Sequence, residues 1–163
     1  IEEFTATDEQ NGQDIVIRHN GEPVYYIECK TKWNFTDAAH MSSQQMKQAV
    51  RERDNYALCC IDCTQRGCSV PPDASKEEVI AASSEILAHT YVHPTIGYQF
   101  KDVLEPLINE EDADKVRTGD DREHNIGIYS SLSCNIPYKV FARGSKFNEF
   151  IVSLKQQLRS YCI

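Results

Sequence analysis

Hydrophobic and polar residues alternate along the first third of the chain, as they do in half-buried β-strands. Residues 14–18 (DIVIR) and residues 24–30 (VYYIECK) follow this period and are rich in β-branched and aromatic side chains. Between them lies Asn20-Gly21, the dipeptide that most strongly favours a two-residue hairpin turn. The pattern therefore predicts a β-hairpin in which these two strands are antiparallel neighbours.

A helical period follows the hairpin. It predicts a helix over residues 37–53, and the Ser42-x-x-Gln45 capping box indicates a later start near Ser42 as the alternative. The apolar face of this helix would consist of Met46, Ala49 and Val50. Residues 55–62 (NYALCCID) then form a short apolar run that is typical of a buried strand.

The second half of the chain contains two further helical patterns. Ser75 and Glu78 form another capping box, which predicts a helix to about His89 with Val79, Ala82 and Ile86 on one face. Residues 145–159 predict an amphipathic helix. Its apolar face would consist of Phe147, Phe150, Ile151, Leu154 and Leu158. The remaining pattern predicts a loop over 65–74, a short helix over 100–108, a mobile loop over 109–125, and strands over 126–129 and 136–142.

This order of elements predicts an α/β (α+β) fold in which helices flank a central mixed β-sheet. Residues 1–163 are expected to form a single domain. Because the sequence begins with Ile1 and not with Met, we expect that domain to be part of a longer parent chain.

Three charged residues are predicted to meet on the hairpin. Glu28 and Lys30 are two apart on a strand and share a face, and the turn brings Asp14 near them. Burying such charges is costly unless they pair or hold a cation. Two carboxylates with a backbone carbonyl such as that of Cys29 suit Mg²⁺ or Mn²⁺ in a pocket open to solvent. The same spacing equally fits an incidental salt bridge on an exposed strand.

The segments GQDIVI and YYIECKTK resemble the strand pair of the PD-(D/E)XK restriction-endonuclease-like superfamily, with Gln13 in place of the proline. Residues 11–62 are similar to one subgroup, the NO VEIN C-terminal domain family, which has a comparable helix start and an Asn-Tyr-x-Leu strand. The resemblance implies a restriction-endonuclease-like fold and metal-dependent hydrolysis of DNA phosphodiester bonds.

Carried onto this sequence, the resemblance assigns a role to each residue of the motif. It makes Asp14 and Glu28 metal ligands together with the Cys29 carbonyl, and Lys30 the lysine that assists the attacking water. Gln45 stands where the subgroup has Glu and would position that water. Gln44 and Gln48 are alternatives to Gln45 in a neighbouring helix register. Glu2 or Glu3, or a helix further upstream, would supply the additional carboxylate that related enzymes have.

The charge balance makes strong sequence-independent binding to nucleic acid less favourable. The chain carries 17 basic and 25 acidic residues, for a net charge of −8, and such binding requires an excess of Lys and Arg. Lys32 and Trp33 are candidates for contacts with a nucleic-acid backbone and a base. Two functions therefore remain open: a nuclease acting on DNA, or on RNA, and a silent nuclease-like module that serves interaction or targeting beside other domains. No apolar run is long enough for a membrane span.

The cysteines predict free thiols in a reducing cytoplasm, because seven is an odd number and the chain is larger than disulfide-stapled miniproteins. Cys60, Cys63 and Cys68 could hold zinc if Cys134 or a His completed the site. The alternative is that Cys59 and Cys60 pack as small apolar residues in a buried strand.

Overall fold

A six-stranded mixed sheet forms the centre of the described structure. The computed structural model describes residues 4–9, 13–33, 39–64, 70–71, 73–101, 115–121, 126–131, 133–137, 140 and 142–162. The strands are β1 (Phe4–Asp8), β2 (Ile15–His19), β3 (Glu22–Lys32), β4 (Ala39–Ser42), β5 (Tyr56–Asp62), β6 (Thr90–His93), β7 (Lys115–Asp121), β8 (Ile126–Ser131), β9 (Ser133–Ile136) and β10 (Ser145–Lys146). The helices are α1 (Ser43–Glu52), α2 (Lys76–Ala81), α3 (Ser83–Ala88) and α4 (Phe147–Arg159), and residues 96–101 are also helical.

The strand order of the central sheet is β1-β2-β3-β5-β6-β10. β1, β2 and β3 form an antiparallel meander, whereas β3 and β5 are parallel and are joined through α1. β4 pairs with β9, and β7 pairs with β8, in two separate two-stranded sheets. A parallel pair requires a crossover connection, so this topology puts α1 directly over the middle of the sheet.

The predicted hairpin is confirmed. Asn20 and Gly21 have φ values of 52° and 85°, the left-handed conformation that a tight two-residue turn requires. The turn pairs His19 with Glu22, and an irregularity between Ile17 and Arg18 then shifts the register by one residue, so that Ile15 pairs with Ile27 and Asp14 follows next to Glu28. The turn and this shift together determine which residues of the two strands become neighbours.

The sheet has a hydrophobic core on each face. On one face α1 and the 96–101 segment pack over the sheet, and the buried residues there include Met46, Ala49, Tyr56, Leu58, Cys60 and Ile96. On the other face α4 packs with Phe150, Leu154 and Leu158 against residues that include Tyr25, Ala57, Cys59 and Val92. The prediction of a mixed α+β fold with helices on both sides of a sheet is confirmed, as is the apolar face of the last helix.

The start of α1 is at Ser43, which confirms the later of the two predicted starts. Ser42 is the N-cap with an extended backbone, and its hydroxyl accepts a hydrogen bond from the Gln45 N–H. A start at Asp37 is wrong because residues 39–42 form β4, whose backbone pairs with β9. Residues 34–38 lie outside the described part of the chain.

The helix predicted over residues 75–89 is divided into α2 and α3 at Ala82, which has a nonhelical ψ of 6°. The Ser75–Glu78 capping box is confirmed. Neither helix contains a buried residue, and Ile80 is 62% exposed. Helical periodicity therefore did not indicate burial here, and the serines at 83 and 84 favour an interruption because their hydroxyls compete for backbone hydrogen bonds.

Several strands differ from the predicted pattern. β1 and β6 were not predicted, and β7 occupies part of the stretch expected to be a mobile loop. Of the predicted strand over 136–142, Ile136 belongs to β9, whereas Val140 is not in a strand: its N–H donates to the Pro137 carbonyl and its carbonyl accepts from the Arg143 N–H. Residues 138, 139 and 141 lie outside the described part. Most of the predicted 100–108 helix and of the 65–74 loop lies outside the described residues. None of the described helices has the length and apolarity needed to cross a membrane.

Gly97 allows the 96–101 segment to approach α1 closely. A Cβ atom at this position would lie 2.0 Å from the backbone oxygen of Ala49. We therefore expect Gly97→Ala to lower the free energy of unfolding by about 1–3 kcal/mol, measured by urea denaturation, because one of the two elements must move. Gln99→Ala, at an exposed position of the same segment, should change it by no more than about 0.5 kcal/mol. Equal effects of the two substitutions would contradict this explanation.

Candidate functional site

Glu28 is the buried centre of the candidate site. It lies on β3 between β2 and β5, on the face that α1 covers, and only 1% of its surface is exposed. A central strand under a helix leaves a carboxylate little access to water, so its oxygens depend on partners from the protein. The expectation of a pocket open to solvent is therefore wrong at Glu28.

Gln45 in the first turn of α1 is one of these partners. Its Oε1 accepts a hydrogen bond of 2.9 Å from the Ser42 N–H, and its Nε2 donates to Oε1 of Glu28. The capping box thus orients the Gln45 amide toward the carboxylate. Gln44 is exposed, and Gln48 is hydrogen-bonded to Arg51 and Glu52. Of the three glutamines considered, Gln45 is the one that the structure brings to Glu28.

Lys30 is the second partner. Its Nζ lies 2.5 Å from Oε1 of Glu28, and its side chain is 22% exposed. The shared strand face predicted for these two residues is confirmed. Lys30 and Gln45 both bind the same oxygen, whereas Oε2 of Glu28 is buried without a hydrogen-bond partner. An unsatisfied carboxylate oxygen is costly, so this atom is where an additional positive or donating group would be most stabilising.

Asp14 reaches the site from the adjacent strand end. Its Oδ2 accepts a hydrogen bond of 2.7 Å from the Cys29 N–H, the amide that follows Glu28. This contact holds the Asp14 carboxylate next to the peptide bond that joins Glu28 to Cys29. The predicted convergence of Asp14 with Glu28 and Lys30 is therefore present, although the three groups differ in their exposure.

The charge of Glu28 is disfavoured in this environment. Burial raises the pKa of its carboxyl, Lys30 opposes that rise through its hydrogen bond and positive charge, and the negative charge of Asp14 adds to it. The net shift is upward even though Lys30 is in contact. A cation placed between the two carboxylates would act in the opposite direction by stabilising both charged forms.

Tyr56 is a neighbour that sequence reasoning missed. Its hydroxyl is buried and has no hydrogen-bond partner, and burial raises its pKa, as do the charges of Glu28 and Asp14. The residue lies on β5 next to Tyr26 of β3. In the sequence it stood in an apolar run and in the Asn-Tyr-x-Leu segment of the family resemblance, which indicated a buried strand and did not suggest a role beside a carboxylate.

Lys32 does not lie where a nucleic-acid contact requires it. Only 1% of its surface is exposed, so the expectation that it contacts a nucleic-acid backbone is wrong. Lys32 lies two residues beyond Lys30, at the end of β3, and pairs in register with Asp62 of β5. Trp33 is half-buried.

The cysteines show no zinc cluster within the described residues. Cys59 and Cys60 belong to the cores on opposite faces of the sheet, as expected for packed strand residues. Cys68 and the side chain of Cys134 lie outside the described part, as do Glu2 and Glu3. Among described residues, no three His, Cys, Asp or Glu side chains are grouped as metal ligands.

One family model matches part of the chain. Residues 2–67 match the sequence model of the family described as Protein NO VEIN, C-terminal. The matched range includes Asp14, Glu28, Lys30, Gln45 and Tyr56, which confirms that part of the resemblance. Searches of curated proteins and of solved structures found no match to the chain.

The raised pKa of Glu28 predicts a specific pH dependence of stability. The folded protein retains this proton at a pH where the unfolded chain has lost it, so the free energy of unfolding falls as pH rises from about 4 through the raised folded-state pKa. Glu28→Gln removes this titration. We therefore expect the free energy of unfolding of Glu28→Gln, minus that of the original protein, to increase as the pH rises across that window. It is measured by urea denaturation in the presence of EDTA.

The matched control is Glu22→Gln on the exposed end of the same strand. Its stability curve should run parallel to that of the original protein. A parallel curve for Glu28→Gln as well would show that the buried carboxyl titrates normally.

Proposed function

We propose that this chain is a divalent-metal-dependent nuclease domain of the PD-(D/E)XK type that hydrolyses DNA phosphodiester bonds. The observation that carries the proposal is the unpartnered, buried Oε2 of Glu28, with a second carboxylate, Asp14, held on the adjacent Cys29 amide. Structures rarely leave such an atom unsatisfied without a functional reason. The match of residues 2–67 to the NO VEIN C-terminal family supports the proposal because the whole motif lies within it.

The residues present fit Mg²⁺ or Mn²⁺. Asp14 and Glu28 would supply carboxylate oxygens, and the Cys29 carbonyl is the third proposed ligand, which matches the preference of these ions for hard oxygen donors. Asp14 uses Oδ2 for the Cys29 amide, so its other oxygen would be the one to bind. Once bound, the ion would polarise the phosphodiester and acidify a water molecule.

Lys30 has two roles in this proposal. In the structure its ammonium neutralises Glu28, and its side chain is partly exposed, so it can reach a substrate without crossing the core. With a cation bound at Glu28, the Lys30 ammonium would be available to orient the attacking water and to stabilise the charge that develops on phosphate. Gln45 acts as a positioning residue, because its amide holds Oε1 of Glu28.

A second function, a silent module that serves interaction or targeting beside other domains, is favoured by the same contacts. Lys30 and Gln45 already satisfy one oxygen of Glu28, and α1 covers that carboxylate. The net charge of −8 also disfavours nucleic-acid binding. In this alternative the ion pair is structural, and the carboxylate does not need a metal.

Metal binding separates the two functions at the first step. We expect isothermal titration calorimetry with Mn²⁺ to show one site in the original protein, and Asp14→Asn and Glu28→Gln each to weaken binding by at least about tenfold, because each removes a ligand charge. Glu22→Gln should bind Mn²⁺ unchanged. Absence of Mn²⁺ binding to the original protein would contradict the nuclease proposal.

Cleavage is tested on supercoiled plasmid with Mg²⁺ or Mn²⁺, with EDTA as the blank. We expect nicked product from the original protein and a rate at least about 100-fold lower for Lys30→Met, which keeps the side-chain length and loses the charge. Lys155→Met, on the exposed side of α4, is the charge-matched control and should retain the rate. Metal binding without cleavage of DNA or RNA would favour the silent module.

A further inference from the structure

Two cysteines lie side by side on the central parallel strands. Cys29 of β3 and Cys59 of β5 are direct register partners, and both belong to the core under α4. Neighbouring strands are about 4.8 Å apart, which lies within the range of Cα separations, about 4.4–6.8 Å, that a disulfide spans. The backbone therefore already has the spacing that a bridge between these two residues requires.

The side chains also project to the same face of the sheet. Both cysteines are free, and as register partners on neighbouring strands they lie side by side in the core under α4. Cys29 is half-buried, whereas Cys59 is 7% exposed, so a small oxidant reaches Cys29 more easily. The adjacent Cys60 belongs to the core on the opposite face of the sheet and cannot take part in this contact.

From this juxtaposition we infer that Cys29 and Cys59 form a peroxide-sensitive dithiol that closes to an intrachain disulfide. The Cys29 thiolate attacks one oxygen of hydrogen peroxide, so that an S–O bond forms, the O–O bond breaks and the leaving hydroxide is protonated to water. The Cys59 sulfur then attacks the sulfenic sulfur, the S–S bond forms and a second water leaves. The two thiols together lose two electrons and two protons, and one peroxide is reduced to two waters.

The modification site adjoins the carboxylate site through one peptide unit. The N–H of Cys29 is the donor that holds Asp14, while its side chain points to the opposite core. The inference does not depend on the proposed nuclease activity, because it rests only on the strand register and on the face that the two cysteines share.

The experiment uses the full chain with Cys162→Ser, since Cys162 is exposed and would otherwise link two molecules. The folded protein is treated with hydrogen peroxide at increasing molar ratios, quenched, alkylated in denaturant and digested. We expect mass spectrometry to find a peptide pair joined through Cys29 and Cys59, together with an intact mass lower by two hydrogens. Dithiothreitol should reverse both changes.

Single substitutions define the pair. Cys29→Ser and Cys59→Ser should each abolish the linked peptide, whereas Cys60→Ser, one residue away on the opposite face, should leave it at its original yield. Circular dichroism checks the fold of each variant. If a variant fails to fold, the peptide map of the protein that retains both Cys29 and Cys59 decides whether the bridge forms. A bridge from Cys29 to another cysteine, or overoxidation of Cys29 without a bridge, would overturn the inference.

Discussion

The burial of Glu28 on the central strand β3 is the constraint on which the rest of the site depends. A carboxylate that is 1% exposed must find its partners within the protein, because water is excluded from it. Gln45 and Lys30 supply donors for one oxygen only, and the other oxygen stays unpaired. This incomplete compensation is what distinguishes the region from an ordinary cross-strand salt bridge, in which both oxygens would remain hydrated.

The parallel pairing of β3 with β5 explains why these groups come together. A parallel neighbour requires a crossover, and the crossover places the N-terminus of α1 over the middle of the sheet. The side chain that completes the capping box, Gln45, then serves two purposes, since its oxygen closes the helix end and its nitrogen binds Glu28. The stability of the helix start and the orientation of the carboxylate are consequently linked.

The same ion pair fits both proposed functions. A fully buried Lys30 could serve only as a structural counterion, whereas a side chain that is 22% exposed could leave the carboxylate if another cation neutralised it. The proposed nuclease function requires this exchange, and the silent module does not. The thiol pair on the opposite face of β3 adds a chemically separate site on the same strand.

Local interactions made part of this protein predictable from its residues alone. The Asn20-Gly21 turn, the shared face of Glu28 and Lys30, and the Ser42–Gln45 cap depend on neighbours a few residues apart. The strands β1 and β6, the burial of Lys32 and the unpartnered Tyr56 hydroxyl depend on which distant segments pack together, and so does the exposure of α2 and α3. Periodicity states which side of an element is apolar, but only the tertiary arrangement decides what covers that side, because burial is a property of contacts between segments remote in sequence.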